Sequence, residues 1–199
     1  FQRWRPGEGR GVALQPAATT QEVVAHLNRN ITGTGDKSGL LAWRSMNVSI
    51  RMAGTPISAP GKIHVEAPRN FRLNVATPIS EGELLDVGSN ADEFWFWSKD
   101  MNPQYLLTCS HEDLPSAMHQ FRIPMQPDWM MEVLAVIPID PNEYEMRRRP
   151  NSPLLELVAV RQSLSGEAVQ KTILVDSRQG RIVQHTLHGP GNRLIASAS

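Results

Sequence analysis

The chain has one cysteine, no net charge and no long apolar run, and each scarcity excludes a class of protein. Cys109 cannot form an internal disulfide, but 199 residues can build an apolar core without disulfides or bound metals. Twenty basic residues balance twenty acidic ones, so we expect no nucleic-acid partner. The longest apolar stretch, Trp129 to Ile139, is interrupted by Glu132 and Pro138, and it is shorter than the roughly 20 residues of a membrane-spanning helix.

The composition of the first residues differs from that of the rest. Phe1 to Ala18 mixes Gly, Pro, Arg and Gln without a period, which predicts a flexible leader over residues 1–18 and a single domain over residues 19–199. Because the sequence starts without a Met, we expect a preceding segment in which any signal peptide or lipidated cysteine would lie. Such a segment would provide a membrane tether.

After one helix, the chain is dominated by strand patterns. Thr19 and Glu22 form a capping box in front of apolar residues at helical spacing, which predicts a helix over Thr20 to Asn30. Alternation with a period of two then predicts strands. These strands lie at 46–52, 63–65, 71–75, 83–87, 93–98, 104–109, 155–159, 169–175 and 183–187.

Turn residues set the order of these strands. Pro68-Arg69-Asn70 and Gly88-Ser89-Asn90 each predict a hairpin, and two short helices are expected over Glu112 to Gln120 and Asp128 to Val136. No helix separates successive strands, which argues against a parallel sheet. The sequence therefore predicts a mainly β (α+β) fold, with a curved open antiparallel sheet or half-barrel and helices packed across it.

The polar motifs give no strong indication of catalysis. The six histidines lack metal-ligand spacing, so we expect no metal and no cofactor, and His111, Asp113 and His119 leave a hydrolase as a remote alternative. Arg147 to Arg149 could contact phosphate groups, but a solvated loop is the favoured interpretation. We therefore expect a binding protein and not an enzyme.

An aromatic run gives the more informative signal. Phe94, Trp95, Phe96 and Trp97 are consecutive, so in a strand two rings point to each face of the sheet. The predicted helices add Trp129 and several methionines, which suit either core packing or a variable apolar ligand.

Two segments resemble the LolA/LolB-like family of bacterial periplasmic lipoprotein carriers and lipoproteins. One is Gly61 to Leu73, a strand, a Pro-Arg turn and a strand; the other is Leu85 to Trp97, which looks like the family's following strands. The predicted helix at Thr20 to Asn30 stands where the family's leading helix would. The resemblance implies an open, curved antiparallel sheet whose concave face is covered by helices that enclose an apolar cavity.

From the residues and this resemblance we expect a non-enzymatic protein of the bacterial periplasm or outer membrane. Its expected partner is a lipid or the acyl chain of a lipoprotein, with other envelope proteins as further partners. The expected lining residues are Trp43, Ile50, Phe71, Leu73, Phe94, Phe96, Trp129, Met130 and Leu134. A structural or protein-interaction lipoprotein with a filled core is the alternative.

Overall fold

The computed structural model shows a mainly β, antiparallel fold. It describes the chain except for residues 1–10, 33–38, 52–57, 79–80, 122–126 and 164–165. Within the described residues, eleven strands form a six-stranded and a five-stranded sheet, accompanied by three α-helices. Neither sheet closes on itself in this part of the chain. The predicted β class and antiparallel pairing are confirmed.

The chain divides into two compact units. One contains Phe1–Asn30, Ile139–Ser163 and Glu167–Ser199, and the other contains Ile31–Pro138 and Leu164–Gly166. The five-stranded sheet belongs to the first unit and the six-stranded sheet to the second.

The six-stranded sheet is a simple meander in which each strand pairs with the next. Its strands are β1 (Ala42–Arg51), β2 (Ser58–Glu66), β3 (Asn70–Ala76), β4 (Glu83–Ser89), β5 (Glu93–Ser98) and β6 (Leu107–Ser110). The predicted hairpin at Pro68-Arg69-Asn70 is confirmed, since Glu66 pairs with Asn70. Met52, the last residue of the first predicted strand, lies outside the described residues.

The turn between β4 and β5 starts later than predicted. Gly88 and Ser89 belong to β4, and the turn begins at Asn90. The Asn90 side chain accepts hydrogen bonds from the backbone N–H groups of Asp92 and Glu93, both at 2.8 Å, as asparagine does in turns. Gly88 therefore lies inside β4, where it pairs with Trp95 of β5.

The five-stranded sheet is also a meander, with the order β11-β10-β9-β8-β7. Its strands are β7 (Glu145–Arg148), β8 (Leu154–Gln162), β9 (Ala168–Asp176), β10 (Arg181–Gly189) and β11 (Arg193–Ala198). The prediction that the arginine run is a loop is wrong, because Arg147 and Arg148 lie in β7 and pair with β8. Charged residues are typical of an edge strand, where they oppose pairing with other chains.

Helix α1 (Thr20–Thr32) packs on the five-stranded sheet. Its predicted capping box is present: the Thr19 backbone N–H donates to Glu22 Oε2 at 2.7 Å, and the Glu22 N–H donates to Thr19 Oγ1 at 3.3 Å. Val23 and Val24 are buried in a cluster with Leu157 and Ile173 of the sheet. Burial of this apolar face fixes the helix, since isolated helices of this length are marginal in water.

The leader predicted at residues 1–18 is described only from residue 11 onward. The Leu14 N–H donates to the Ser177 carbonyl oxygen at 2.8 Å, and Ala18 is buried in the cluster of α1 and its sheet. The last residues before α1 are therefore held against the unit that contains the five-stranded sheet.

Two further helices belong to the other unit. Helix α2 spans Leu114–Phe121, and helix α3 spans Pro127–Val133, with Pro127 at its start as predicted. Helix α3 ends before the predicted Val136, and Ala135 adopts a φ of 56°, outside the helical region. None of the helices described reaches the length and apolar character that crossing a lipid bilayer requires.

Candidate apolar binding site

One face of the six-stranded sheet is apolar across its whole width. Directly paired residues share a face, so the strand register defines rows that cross the sheet. The first row contains Trp43, Val65, Phe71, Ser89, Phe94 and Cys109. The second contains Ser45, Ile63, Leu73, Val87, Phe96 and Leu107. We call this the apolar face.

Eight of the nine residues expected to line a cavity meet in one apolar cluster. Phe71, Leu73 and Phe94 are buried within it. Five are partly buried and pack against it: Trp43, Ile50, Phe96, Met130 and Leu134. Trp129 is half-buried and is not a member. The assignment of these residues to a ligand stays a prediction, because the cluster equally describes a packed core.

Residues of the two helices and of the segment after α3 complete this cluster. Met131 of α3 is fully buried, and Leu114 of α2 and Val136 are buried with it. The Trp43 Nε1–H group donates to the Leu134 carbonyl oxygen at 2.8 Å. That bond fixes the indole and satisfies a carbonyl just beyond the end of α3, where helices leave such groups unpaired.

The apolar face carries few polar groups, and those in its two rows are uncharged. Ser89 is buried, and its hydroxyl donates to the Asn90 carbonyl oxygen at 3.4 Å. Burial, aided by the nearby carboxylates of Asp113 and Glu93, raises the pKa of the Cys109 thiol. Cys109 therefore stays a neutral thiol near pH 7, which is compatible with its place in the apolar cluster.

The opposite face of the same sheet carries polar and charged side chains. Arg72 forms a two-point contact with Asp86, at 3.1 Å from Nε and 2.6 Å from Nη2, and this contact raises the pKa of Arg72. The Trp95 Nε1–H also donates to Asp86, at 3.2 Å. We call this the polar face. Sequence reasoning assigned it no role.

Gly88 explains how Trp95 lies on the polar face. The two residues are directly paired, and a Cβ added at Gly88 would lie 2.1 Å from Trp95 Cζ2. The indole ring therefore occupies the space above the glycine. The neighbouring Phe94 pairs with Ser89 and lies on the apolar face.

The residues considered for a hydrolase have structural contacts. The His111 ring is 2.8 Å from the Asn90 carbonyl oxygen, and Asp113 accepts a hydrogen bond from the Ser110 hydroxyl at 2.8 Å. The His119 side chain lies outside the described part of the chain. Among the described residues, no three histidine, cysteine or carboxylate side chains group in a way that could hold a metal ion.

The arginine run likewise contacts other residues of the chain. Arg147 bridges Glu145 at 2.9 Å and lowers the pKa of that carboxyl. Arg149 pairs with Glu156, and Arg148 donates to the Ala18 carbonyl oxygen. The contacts of Arg148 and Arg149 join this edge of the five-stranded sheet to neighbouring segments, whereas the Arg147–Glu145 contact lies within one strand.

The five-stranded sheet contains two buried basic residues, of which Lys171 was not singled out from the sequence and His185 was taken as an ordinary strand-end residue. Lys171 of β9 and His185 of β10 are both buried. Lys171 alternates with the buried Val169 and Ile173, at a position where the strand pattern calls for an apolar residue. That break in the alternation is the signal that could have identified it.

No protein-family model matches the chain, and no curated protein is significantly similar to it.

Proposed function

We propose that this chain is a non-enzymatic cell-envelope protein that holds an acyl chain, a lipid or a lipoprotein against its apolar face. The resemblance to LolA/LolB-like carriers motivates the proposal, together with a location in the periplasm or at the outer membrane. The observation that supports it best is that eight of the nine side chains expected to line the site meet in one cluster. Six of them come from the sheet, one from α3 and one from the residue that follows α3.

The proposed site is the partly buried part of this cluster. Phe94 and Met131 are almost completely buried, with 1% and 0% of their surfaces exposed, so in this proposal they form the floor of the site. Phe96, Ile50 and Leu134 are partly buried and are the groups that a ligand would contact. In this proposal the sheet is an open half-barrel whose concave side is the apolar face, covered by α2 and α3.

Apolar contact alone supplies enough free energy for such a ligand. Burying a methylene contributes about 0.8 kcal/mol, so a chain of roughly 14 carbons gains on the order of 11 kcal/mol, against an association cost of at least about 4 kcal/mol. A charged anchoring group is not required. This agrees with the low charge of the apolar face.

The first experiment is extraction of the purified protein with organic solvent and mass spectrometry of the extract. It is combined with displacement of an apolar fluorescent dye by fatty acids and phospholipids. A stoichiometric lipid, or dye that lipids displace, supports the proposal. A protein that yields no lipid and binds no dye contradicts it.

Matched variants of β5 locate the site. Phe96→Ala removes a ring from the apolar face, whereas Trp97→Ala removes one from the polar face of the same strand. We expect Phe96→Ala to raise the dissociation constant for dye by at least about tenfold, since a buried phenyl ring contributes about 1.5–3 kcal/mol. Trp97→Ala should change it less than about twofold. Equal effects would place the dye elsewhere.

The alternative is a structural or protein-interaction lipoprotein with a filled core. The near-complete burial of Phe71, Leu73 and Phe94 by their own neighbours favours it. It predicts that Phe96→Ala lowers the free energy of unfolding and that no apolar dye binds to either the variant or the parent protein.

A further inference from the structure

A row of basic and aromatic side chains crosses the polar face of the six-stranded sheet. Arg44 pairs with His64, His64 with Arg72, Arg72 with Gly88, and Gly88 with Trp95. These five residues come from five consecutive strands and share one face, because directly paired residues always do. We call them the cross-strand row.

In this row a histidine lies between two arginines. Adjacent strands lie about 4.8 Å apart, so the Cα atoms of Arg44 and Arg72 are about 10 Å apart with His64 midway. The Arg44 side chain is long enough to reach a group above His64, whereas the Arg72 guanidinium is bonded to Asp86 of β4. Arg44, His64 and Arg72 are all exposed, so such a group can approach from solvent.

The row borders a depression in the surface. Its volume is about 510 Å³. Its border includes Arg44, His64, Arg72 and Trp95 of the row, together with the carboxylate residue Glu66 and the asparagines Asn70 and Asn90. Ala42 and four residues of the first row of the apolar face complete the border: Trp43, Val65, Phe71 and Ser89. The arginines and the asparagine amides provide N–H donors, which match the oxygens of an anion. A space of this size accepts a phosphate group together with part of the molecule that carries it.

Arg72 is held in place before any ligand arrives. Its Nε and Nη2 atoms donate to Asp86, which leaves Nη1 available, and Asp86 also fixes the indole of Trp95. A side chain ordered in advance loses less conformational freedom on binding. Within the described part of the chain Arg44 has no carboxylate partner, whereas the charge of Arg72 is balanced by Asp86. Arg44 is therefore the guanidinium group whose charge a bound anion would balance.

We propose that Arg44, His64, Arg72 and Trp95 form a binding site for a phosphate group. Phosphate fits better than a carboxylate, because its greater charge and three accessible oxygens can be shared between two guanidinium groups and an imidazole. The group can belong to a soluble phosphate compound or to a phospholipid headgroup. These four side chains lie on the face opposite the apolar cluster, and the proposal does not depend on whether that cluster binds lipid.

The test is titration of the ¹⁵N-labelled full chain with inorganic phosphate at constant ionic strength, followed by NMR. We expect saturable shifts of the Trp95 indole signal and of the backbone signals of the row. Arg44→Gln should raise the dissociation constant at least fivefold, and it breaks no ion pair among the described residues. Arg72→Gln should act in the same direction, although it also releases Asp86.

Lys62→Gln is the matched control. Lys62 is exposed on the same face, two residues from His64, but it does not border the depression. We expect it to change the dissociation constant less than twofold. An equal loss in Lys62→Gln and Arg44→Gln would show diffuse attraction and overturn the proposal, as would absent shifts or equal binding of acetate.

Sedimentation with vesicles distinguishes the two sources of the phosphate. Binding to phosphatidylglycerol vesicles but not to phosphatidylcholine vesicles, lost in Arg44→Gln and kept in Lys62→Gln, assigns the site to an anionic headgroup. Binding of inorganic phosphate without vesicle binding assigns it to a soluble ligand. Displacement of apolar dye, measured on the same variants, reports separately on the apolar face and should not change.

Discussion

The contact between Gly88 and Trp95 gives the sharpest prediction of stability. A Cβ at position 88 would lie 2.1 Å and 2.5 Å from two indole carbons and 2.7 Å from the Phe71 carbonyl oxygen. In Gly88→Ala the indole must move away and lose its hydrogen bond to Asp86. Overpacking costs about 1–3 kcal/mol and a lost hydrogen bond about 1 kcal/mol, so we expect the free energy of unfolding to fall by about 2–4 kcal/mol.

A double-mutant cycle with Trp95→Ala isolates this contact. Without the indole, the two closest of the three nearest contacts of the added methyl group are gone, and the Phe71 carbonyl oxygen at 2.7 Å remains. The hydrogen bond from the indole to Asp86 is already absent in this background, so its loss no longer adds to the cost. We therefore expect Gly88→Ala to cost at least about 1 kcal/mol less in the Trp95→Ala background than in the parent.

Urea unfolding followed by far-ultraviolet circular dichroism is the appropriate assay, because removal of a tryptophan alters fluorescence. An unchanged urea dependence in all four proteins shows that their midpoints can be compared as stabilities. An equal cost of Gly88→Ala in both backgrounds would refute the reasoning, since the indole would then not be the obstacle.

Three further predictions concern the remaining parts of the chain. Leu157→Ala, at a fully buried position, should lower the free energy of unfolding by about 2–5 kcal/mol, whereas Val160→Ala on the same strand, 71% exposed, should change it by less than about 0.5 kcal/mol in urea titrations. Alkylation of Cys109 by iodoacetamide should be slow near pH 7 and rise at higher pH than for a free thiol, because burial raises its pKa; a rate equal to that of unfolded protein would contradict this. Hydrogen bonds from the Thr19 backbone and side chain lower the pKa of Glu22. The ionised carboxylate therefore stabilises the folded protein above the pKa of about 4.3 that Glu22 has in the unfolded chain, and this stabilisation is lost as the pH falls through its pKa in the folded protein. Glu22→Gln should therefore reduce the difference between urea midpoints measured at pH 6 and pH 3, and an unchanged difference would count against the capping box.

The sequence predicts individual strands well where alternation is clean and a turn fixes the pairing. In β2 and β3 the apolar residues alternate on both sides of Pro68-Arg69-Asn70, so the turn determines which side chains share a face. In β5 four aromatic residues in a row carry no such information. The structure resolves the choice through Gly88, which provides space for Trp95 and leaves Phe94 opposite Ser89.

The strands at the edges of the five-stranded sheet could not be predicted in the same way. In β7 charged residues occupy an edge position, and in β11 most side chains are exposed on both faces, so neither strand shows apolar alternation. The division into two sheets is also absent from the local pattern. A strand's alternation shows that one face is buried but not which sheet or helix buries it, and Val23 and Val24 of α1 could have packed on either sheet.

The two proposed sites can be separated because they use alternate residues of the same strands. On β5, Phe94 and Phe96 belong to the apolar face, whereas Trp95 belongs to the cross-strand row. A substitution that moves the backbone of β5 would therefore disturb both sites together, while one that removes a side chain would disturb one. Loss of dye binding in Phe96→Ala with normal phosphate binding, and the reverse in Arg44→Gln, would establish that the two faces act independently. Coupled losses in both variants would instead show that the sheet itself has shifted, and neither variant could then be interpreted as the removal of a ligand contact.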